Sequence, residues 1–274
     1  MIRATTLSSL LLIITGLLAG PTAAAQEAAG RAYHYEISGS WLGLTPGGNV
    51  QTNSNRVDFG SELGIDGMAL QAGFGFLIRP GNRNGIFGEF IPYRFAGAKT
   101  IERGFRFGGV SYNVNEPVTS EASLNYLSFG YHRSIVDRQR IEVGVRAGAA
   151  YISVNARANS PSAGSAEVTR DVVFPLAGLV AQYFPSAKRS LNLRGEVRGM
   201  SFGSYGGYID VGGAVGFLLS PRMTLDAGYR AIKGDGHHNT RGAELNFRGP
   251  VITFRFHDRR SPEPPAGRPQ PPRG

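Results

Sequence analysis

Apolar and polar residues alternate with period two along most of this chain. In 190–202, Leu191, Leu193, Gly195 and Val197 share one parity, and Asn192, Arg194, Glu196 and Arg198 share the other. In 222–232, Met223, Leu225, Ala227 and Tyr229 oppose Thr224, Asp226, Gly228 and Arg230. In 208–219, Ile209, Val211, Val215 and Phe217 oppose Asp210, Gly212, Ala214 and Gly216; in 68–79, Leu70, Ala72, Phe74, Phe76 and Ile78 oppose Gln71, Gly73 and Gly75. Successive side chains of a strand point to opposite faces, so this alternation predicts strands with one apolar face. Ten are predicted: 33–44, 68–79, 85–95, 122–133, 140–154, 172–184, 190–202, 208–219, 222–232 and 244–256. Their lengths suit tilted strands crossing a bilayer.

The connections take turns in length. "PGNRN", "SIVDRQ", "PSAKR" and "SP" are short; 45–67, 96–121, 155–171 and 233–243 are long, with "GSYGG" intermediate. A membrane barrel sorts its connections this way, with tight turns at the periplasmic rim and loops outside the cell. The predicted fold is all-β: a transmembrane antiparallel up-and-down β-barrel, with ten strands first and eight as the alternative. Closing the sheet satisfies every backbone polar group without water. The apolar set is expected to face lipid and the polar set the lumen. A soluble barrel with the faces exchanged is disfavoured by glycine-rich polar faces carrying few charges. Tyr33, Tyr35, Trp41, Phe95, Tyr131, Tyr151, Tyr183 and Phe202 fall toward strand ends, as interfacial girdles do. Two prolines disturb the pattern. Pro92 suggests a bulge or a segment beyond the membrane, and Pro175 an irregular outer end.

The N-terminus adds the route of export. "MIRATTLSSLLLIITGLLAGPTAAAQ" has an early cation, an apolar run and small residues before a cleavage point near Ala25, the layout of a secretory signal over 1–25. A short segment, 26–32, leads into a barrel over 33–256. The tail 257–274, "HDRRSPEPPAGRPQPPRG", reads as disordered and periplasmic. The 274 residues include no cysteine, which excludes disulfides, thiolate metal sites and a cysteine nucleophile. The formal charge is +9. Export turns that charge toward anionic lipid, lipopolysaccharide or cell wall; no nucleic-acid partner is expected. Lysine is confined to Lys99, Lys188 and Lys233, which is sparse for a wall facing water.

"GPVITFRF", 249–256, ends on Phe256 after alternating apolar residues. It resembles the C-terminal targeting strand of bacterial outer-membrane barrels. With the signal and the alternating connections, 33–256 resembles small barrels of the outer-membrane-protein-A-like kind, without their peptidoglycan-binding domain. The resemblance implies residence in a Gram-negative outer membrane. It also implies recognition of Ile252, Phe254 and Phe256 by the barrel-assembly machinery, here from an internal position because the chain continues. A monomer is expected.

The polar parity gathers one constellation: Glu36, Glu142, Arg146, Arg194, Glu196, Arg198, Asp210, Asp226, Arg230 and Arg255. Signs are matched, so the expected role is an ion-paired filling of a narrow lumen. The alternative is the charged constriction of a narrow channel for small solutes. Barrels of about eight strands are filled by side chains, whereas wide channels need about sixteen, so ten favours filling. The third reading is an outer-surface hydrolase. Asp235 and His237 in "KGDGHHN" resemble a fragment of the omptin rim, without an identifiable acidic pair opposite. Ser153 and Ser201 are the serines available to a lipid A acyltransferase or deacylase chemistry, and nothing marks either. No enzyme activity, cofactor or metal is expected, and no catalytic residue is assigned. Arg79, Arg83, Arg138, Arg140, Lys188, Arg189 and Arg222 are expected on periplasmic turns. Arg56, Lys99, Arg103 and Arg106 are expected in outer loops, within reach of lipopolysaccharide phosphates.

Overall fold

The computed structural model describes residues 33–259, apart from 53–54, 81–82, 139, 187–189, 202–205 and 239–240. The predicted signal and most of the predicted tail lie outside the described residues, as does Phe202. Thirteen strands are present: β1 Tyr33–Thr52, β2 Asn55–Asp58, β3 Ala69–Ile78, β4 Asn84–Thr100, β5 Phe105–Phe107, β6 Val110–Tyr112, β7 Pro117–Asp137, β8 Ile141–Ser160, β9 Gly164–Tyr183, β10 Leu191–Ser201, β11 Gly206–Ser220, β12 Met223–His238 and β13 Arg241–Arg259. Ten of them form the wall, in the order β1, β3, β4, β7, β8, β9, β10, β11, β12, β13, and β13 pairs with β1 to close it. The predicted ten-stranded antiparallel barrel is the fold.

Register fixes the dimensions. Following partners from Tyr35 through Ile78, Ile86, Tyr131, Ala147, Ala177, Gly199, Ile209, Lys233 and Asn246 returns to β1 at Gly47, twelve residues beyond the start. A shear of twelve over ten strands tilts them by about 40° and gives a backbone radius of about 10 Å. Side chains from opposite walls of so narrow a cylinder meet.

The predicted parity holds around the ring. Outward residues form an apolar band, with Met223, Phe217, Leu193 and Tyr35 at one edge and Leu70, Tyr151 and Val173 at the other. Laid out on the tilted lattice, the band is roughly 25 Å tall, the height of a membrane barrel's apolar belt. The aromatic assignment needs one correction. Tyr35, Trp41, Tyr131, Tyr151 and Tyr183 are exposed on the outside, but Phe95 is 6% exposed and points inward.

The strands outrun their predicted ends at the rim opposite the chain termini. There β7, β8 and β9 continue roughly 20 Å beyond the apolar band, and the predicted loop 155–171 is β-structure except for a turn at 161–163. Among the described residues, only the segments after β1 and β4 fold as loops, carrying β2 and the β5–β6 hairpin. β13 likewise runs past Phe256 to Arg259 and pairs there with Tyr33.

Both prolines sit in regular strands. Pro92 pairs with Asn125, and the β4–β7 register passes through it without a bulge. Its missing N–H is tolerated because the β3–β4 ladder stops at Phe74–Phe90. Beyond that point the buried Gln71 side chain takes over, donating to the Arg94 carbonyl at 2.7 Å and accepting from the Arg94 N–H at 3.0 Å. Pro175 pairs with Ala149 and lies just past the last β9–β10 partner, Ala177. Each proline therefore marks where two neighbouring strands part.

Candidate functional site

The lumen holds the predicted constellation. All ten of its residues project inward, and nine join one network. Arg255 is bound to Asp226 and lies 3.4 Å from Glu36. Glu36 lies 3.4 Å from Arg194, which is 3.9 Å from Glu196. Glu196 takes Arg146 at 2.5 Å and Arg198 at 3.5 Å. Arg198 and Arg230 both bind Asp210, each at 2.7 Å. The tenth predicted member, Glu142, stands apart and pairs with Arg79 at 2.5 Å.

Two members escaped the sequence reading. Glu89 is the larger omission: it bridges Arg198 at 2.6 Å and Arg230 at 2.9 Å, completing a four-membered ring with Asp210. Parity groups it with Phe87, Ile91 and Tyr93, an apolar set that the alternation sends to lipid but that is buried here, so the alternation alone pointed the wrong way. Arg79, expected on a periplasmic turn, instead turns into the lumen, where it is 7% exposed. Parity with Leu77 and Gln71 on β3 was the signal there.

Glycine makes the network fit. A Cβ on Gly216 would lie 2.1 Å from Asp226 Oδ1 and 2.3 Å from Asn192 Nδ2. One on Gly144 would lie 2.3 Å from the His132 ring. The glycine-rich polar faces are thus the recesses into which side chains of the neighbouring strands fit. A cavity of about 150 Å³ remains among Glu36, Glu89, Arg146, Arg194, Arg198 and Arg230.

Above the charges the lumen changes character, which corrects the expectation of a polar interior throughout. Leu42, Leu44, Ile91, Tyr93, Tyr126, Leu176, Phe174, Tyr208, Ile232 and Phe247 point inward and are buried. The Phe247 ring stacks between Tyr93 and Phe95, at 5.7 and 5.5 Å and 7° from each. Tyr126 stacks on Tyr208 at 6.2 Å, and Phe174 meets Tyr208 at 5.1 Å. Arg198 approaches the face of Tyr126 at 5.8 Å and so joins the two layers.

A third, apolar layer lies at the mouth. Phe59, Leu63 and Ile65 of the β2–β3 segment are buried in the same cluster. Gly64, at φ +65°, lets that segment lie against Gly97, whose Cβ would come 2.3 Å from the Gly64 carbonyl oxygen. Glu62 accepts from the Asp58 N–H at 2.6 Å and binds Arg103. Further out, Glu116 receives the Ser160 and Ser162 hydroxyls and the Asn113 N–H, tying the β8–β9 turn to the segment before β7.

Asp235 lies opposite Glu244 on outward-facing positions. The side chain of His237 lies outside the described residues. Ser153 faces Asp171 across the β8–β9 pair, outside the barrel. His132 is buried in the lumen near the opposite rim, 3.3 Å from Ser134. Among the described residues no group of His, Asp and Glu is arranged to hold a metal ion.

No protein-family model and no curated protein matches this chain. Solved structures do. The outer membrane protease OmpT from Escherichia coli aligns with 86% of this chain and 99% of its own, at a TM-score of 0.56 and 10% identity. The translocator domain of the autotransporter NalP from Neisseria meningitidis covers 91% of this chain and 95% of its own, at a TM-score of 0.44 and 10% identity. OprG from Pseudomonas aeruginosa covers 84% and 99%, at 0.35 and 8%. At such identities the likeness is one of architecture: this chain has the closed, ten-stranded antiparallel fold also found in an outer-membrane barrel.

Proposed function

We propose that this chain is a non-conducting, non-enzymatic barrel of the bacterial outer membrane, with its projecting β-sheet serving as a structural or interaction surface outside the cell. The observation that carries this is the lumen, filled in series by an ion-paired layer, an aromatic layer and a loop layer. A lone ion pair in a wet pore gives selectivity without closure; rings stacked above it support closure by dewetting. The apolar outer band of roughly 25 Å supports the membrane placement. The signal, the closing strand and the filled lumen support kinship with the small outer-membrane-protein-A-like barrels, and a monomer suits a wall closed by the β13–β1 pairing.

The test is single-channel recording on the refolded full chain, beside hydrolysis assays on peptides and lipid A. Silence with inert wild-type protein supports the proposal. Stable ion-selective steps would replace it with the channel reading. Turnover abolished by Asp235→Ala or His237→Ala would replace it with the hydrolase.

A further inference from the structure

The outer-loop cations expected to meet lipopolysaccharide phosphates are largely engaged within the protein. Arg103 binds Glu62, Lys99 lies 3.3 Å from Glu102, and Arg106 donates to the Gly109 carbonyl at 3.3 Å. A different pair is free. Arg94 on β4 and Arg248 on β13 are exposed at outward-facing positions, and among the described residues neither side chain has a carboxylate within ion-pair distance.

Their height on the wall is informative. On the tilted lattice both lie roughly 22–27 Å above Tyr35, where the apolar band ends. A cation is costly at the bilayer midplane but nearly free at this level. Among the described residues, the same level elsewhere on the ring offers no free cation. Tyr151 donates to Asp171 at 3.0 Å, and Lys233 lies 3.4 Å from Glu244.

Between the two arginines stand β1 and β3. Three inter-strand spacings separate Arg94 from Arg248 by roughly 15 Å at the backbone. The wall between them is apolar and unusually exposed: Leu70 is 75% exposed and Met68 67%. Met68 lies over Gly43, its sulfur 3.2 Å from where a Cβ would sit, with the Pro250 ring 3.5 Å from the same point. Trp41, exposed below them, meets Phe254 edge-on at 6.3 Å.

We propose that Arg94 and Arg248 bind the two phosphates of a bis-phosphorylated, acylated disaccharide in the outer leaflet, and that Met68, Leu70 and Trp41 receive its acyl chains. A guanidinium forks onto phosphate oxygens, and its aliphatic stem lies along apolar wall while the head reaches the headgroup level. Two cations across an apolar shelf match an amphiphile with a phosphate at each end of its sugar and chains beneath. A singly charged glycerophospholipid meets only one of the two.

This rests on the proposed membrane placement. The test uses the full refolded chain in detergent, titrated with bis-phosphoryl lipid A, monophosphoryl lipid A, phosphatidylglycerol and inorganic phosphate, with retained lipid read by native mass spectrometry. Bis-phosphoryl lipid A is expected to bind tightest. Arg94→Gln with Arg248→Gln is expected to weaken it about tenfold or more, since a hydrogen bond to a charged group contributes about 1.5–3 kcal/mol. Arg133→Gln, an outward arginine near the other rim, is expected to change nothing. Equal affinity in the double variant, or equal binding of phosphatidylglycerol, would overturn the site. So would displacement by inorganic phosphate at comparable concentration, which would mark a bare anion site without the acyl shelf. A chain that inserts into vesicles yet fails these tests removes only this proposal; a chain that does not insert removes the membrane placement with it.

Discussion

Replacing Arg198 with alanine probes the centre of the lumen. Arg198 is 4% exposed. It reaches Glu89 at 2.6 Å, Asp210 at 2.7 and 3.1 Å, and Glu196 at 3.5 Å. Truncation leaves three carboxylates sharing fewer cations in a confined space. Removing one partner of a buried pair costs about 3–5 kcal/mol. The adjoining 150 Å³ cavity admits some solvent to the orphaned acids, so the lower figure applies, about 3 kcal/mol. For a chain of this size that is a fall of roughly 6–12 °C in the unfolding midpoint. The assay is the temperature at which the folded band shifts to unfolded mobility in a detergent gel, repeated with urea in vesicles. Arg198→Lys should fall between, because one ammonium cannot span Asp210 and Glu89 as the guanidinium does. Conductance should stay silent, because the Tyr93–Phe247–Phe95 stack above is untouched. An unchanged midpoint would refute the stabilising role of the network. Stable current steps in this variant would refute the layered seal, making the charges alone the barrier.

Three further outcomes follow from other parts of the wall. Phe247→Ala removes the ring shared by two stacks and should cost about 3–5 kcal/mol; it should also loosen 59–65, seen as new chymotryptic cleavage after Phe59. Phe254→Asp with Phe256→Asp puts charge on the outward face of the closing strand, beside Trp41 and Tyr35, and should abolish outer-membrane assembly, whereas deleting 260–274 should not; equal membrane yields would count against Ile252, Phe254 and Phe256 as the assembly signal. Glu116, outside the apolar band, has its pKa lowered to about 2 by the Ser160 and Ser162 hydroxyls and the Asn113 N–H. A depressed carboxyl stabilises above its unfolded value near 4.3 and loses that contribution as pH falls through the folded value, so pepsin should cut the β8–β9 turn readily at pH 1.5 and poorly at pH 4.

How much of this was written in the sequence depends on distance along the chain. Parity is local, so period two placed all ten predicted lumen residues on the correct face. Ladder partners are distant, so parity said nothing about level. Phe95 was expected in the outer girdle, yet it stacks on Phe247 inside, on a strand more than a hundred residues away. Glu89 was passed over because Pro92 made its strand look irregular. The Gln71 side chain that satisfies the Arg94 backbone comes from a neighbouring strand and leaves no mark near Pro92. Arg79 followed its turn in the sequence but its partner Glu142 in space. The long outer connections were expected as loops because they are polar. Of these, 155–171 and the described part of 233–243 are mainly strand because each has a neighbour to pair with, and β-structure above a membrane needs no apolar face. Candidate chemistry was the least legible. Asp235 and His237 look adjacent in sequence, yet the ladder sets Asp235 against Glu244 on the outward face.

The central claim is that three stacked layers seal the lumen. Single-channel recording on the wild-type barrel in a planar bilayer tests it most directly. Insertion is confirmed separately, by heat-modifiable mobility and protease protection. A flat trace at either polarity across the ordinary voltage range is expected. Reproducible, ion-selective current steps from inserted, folded protein would contradict it.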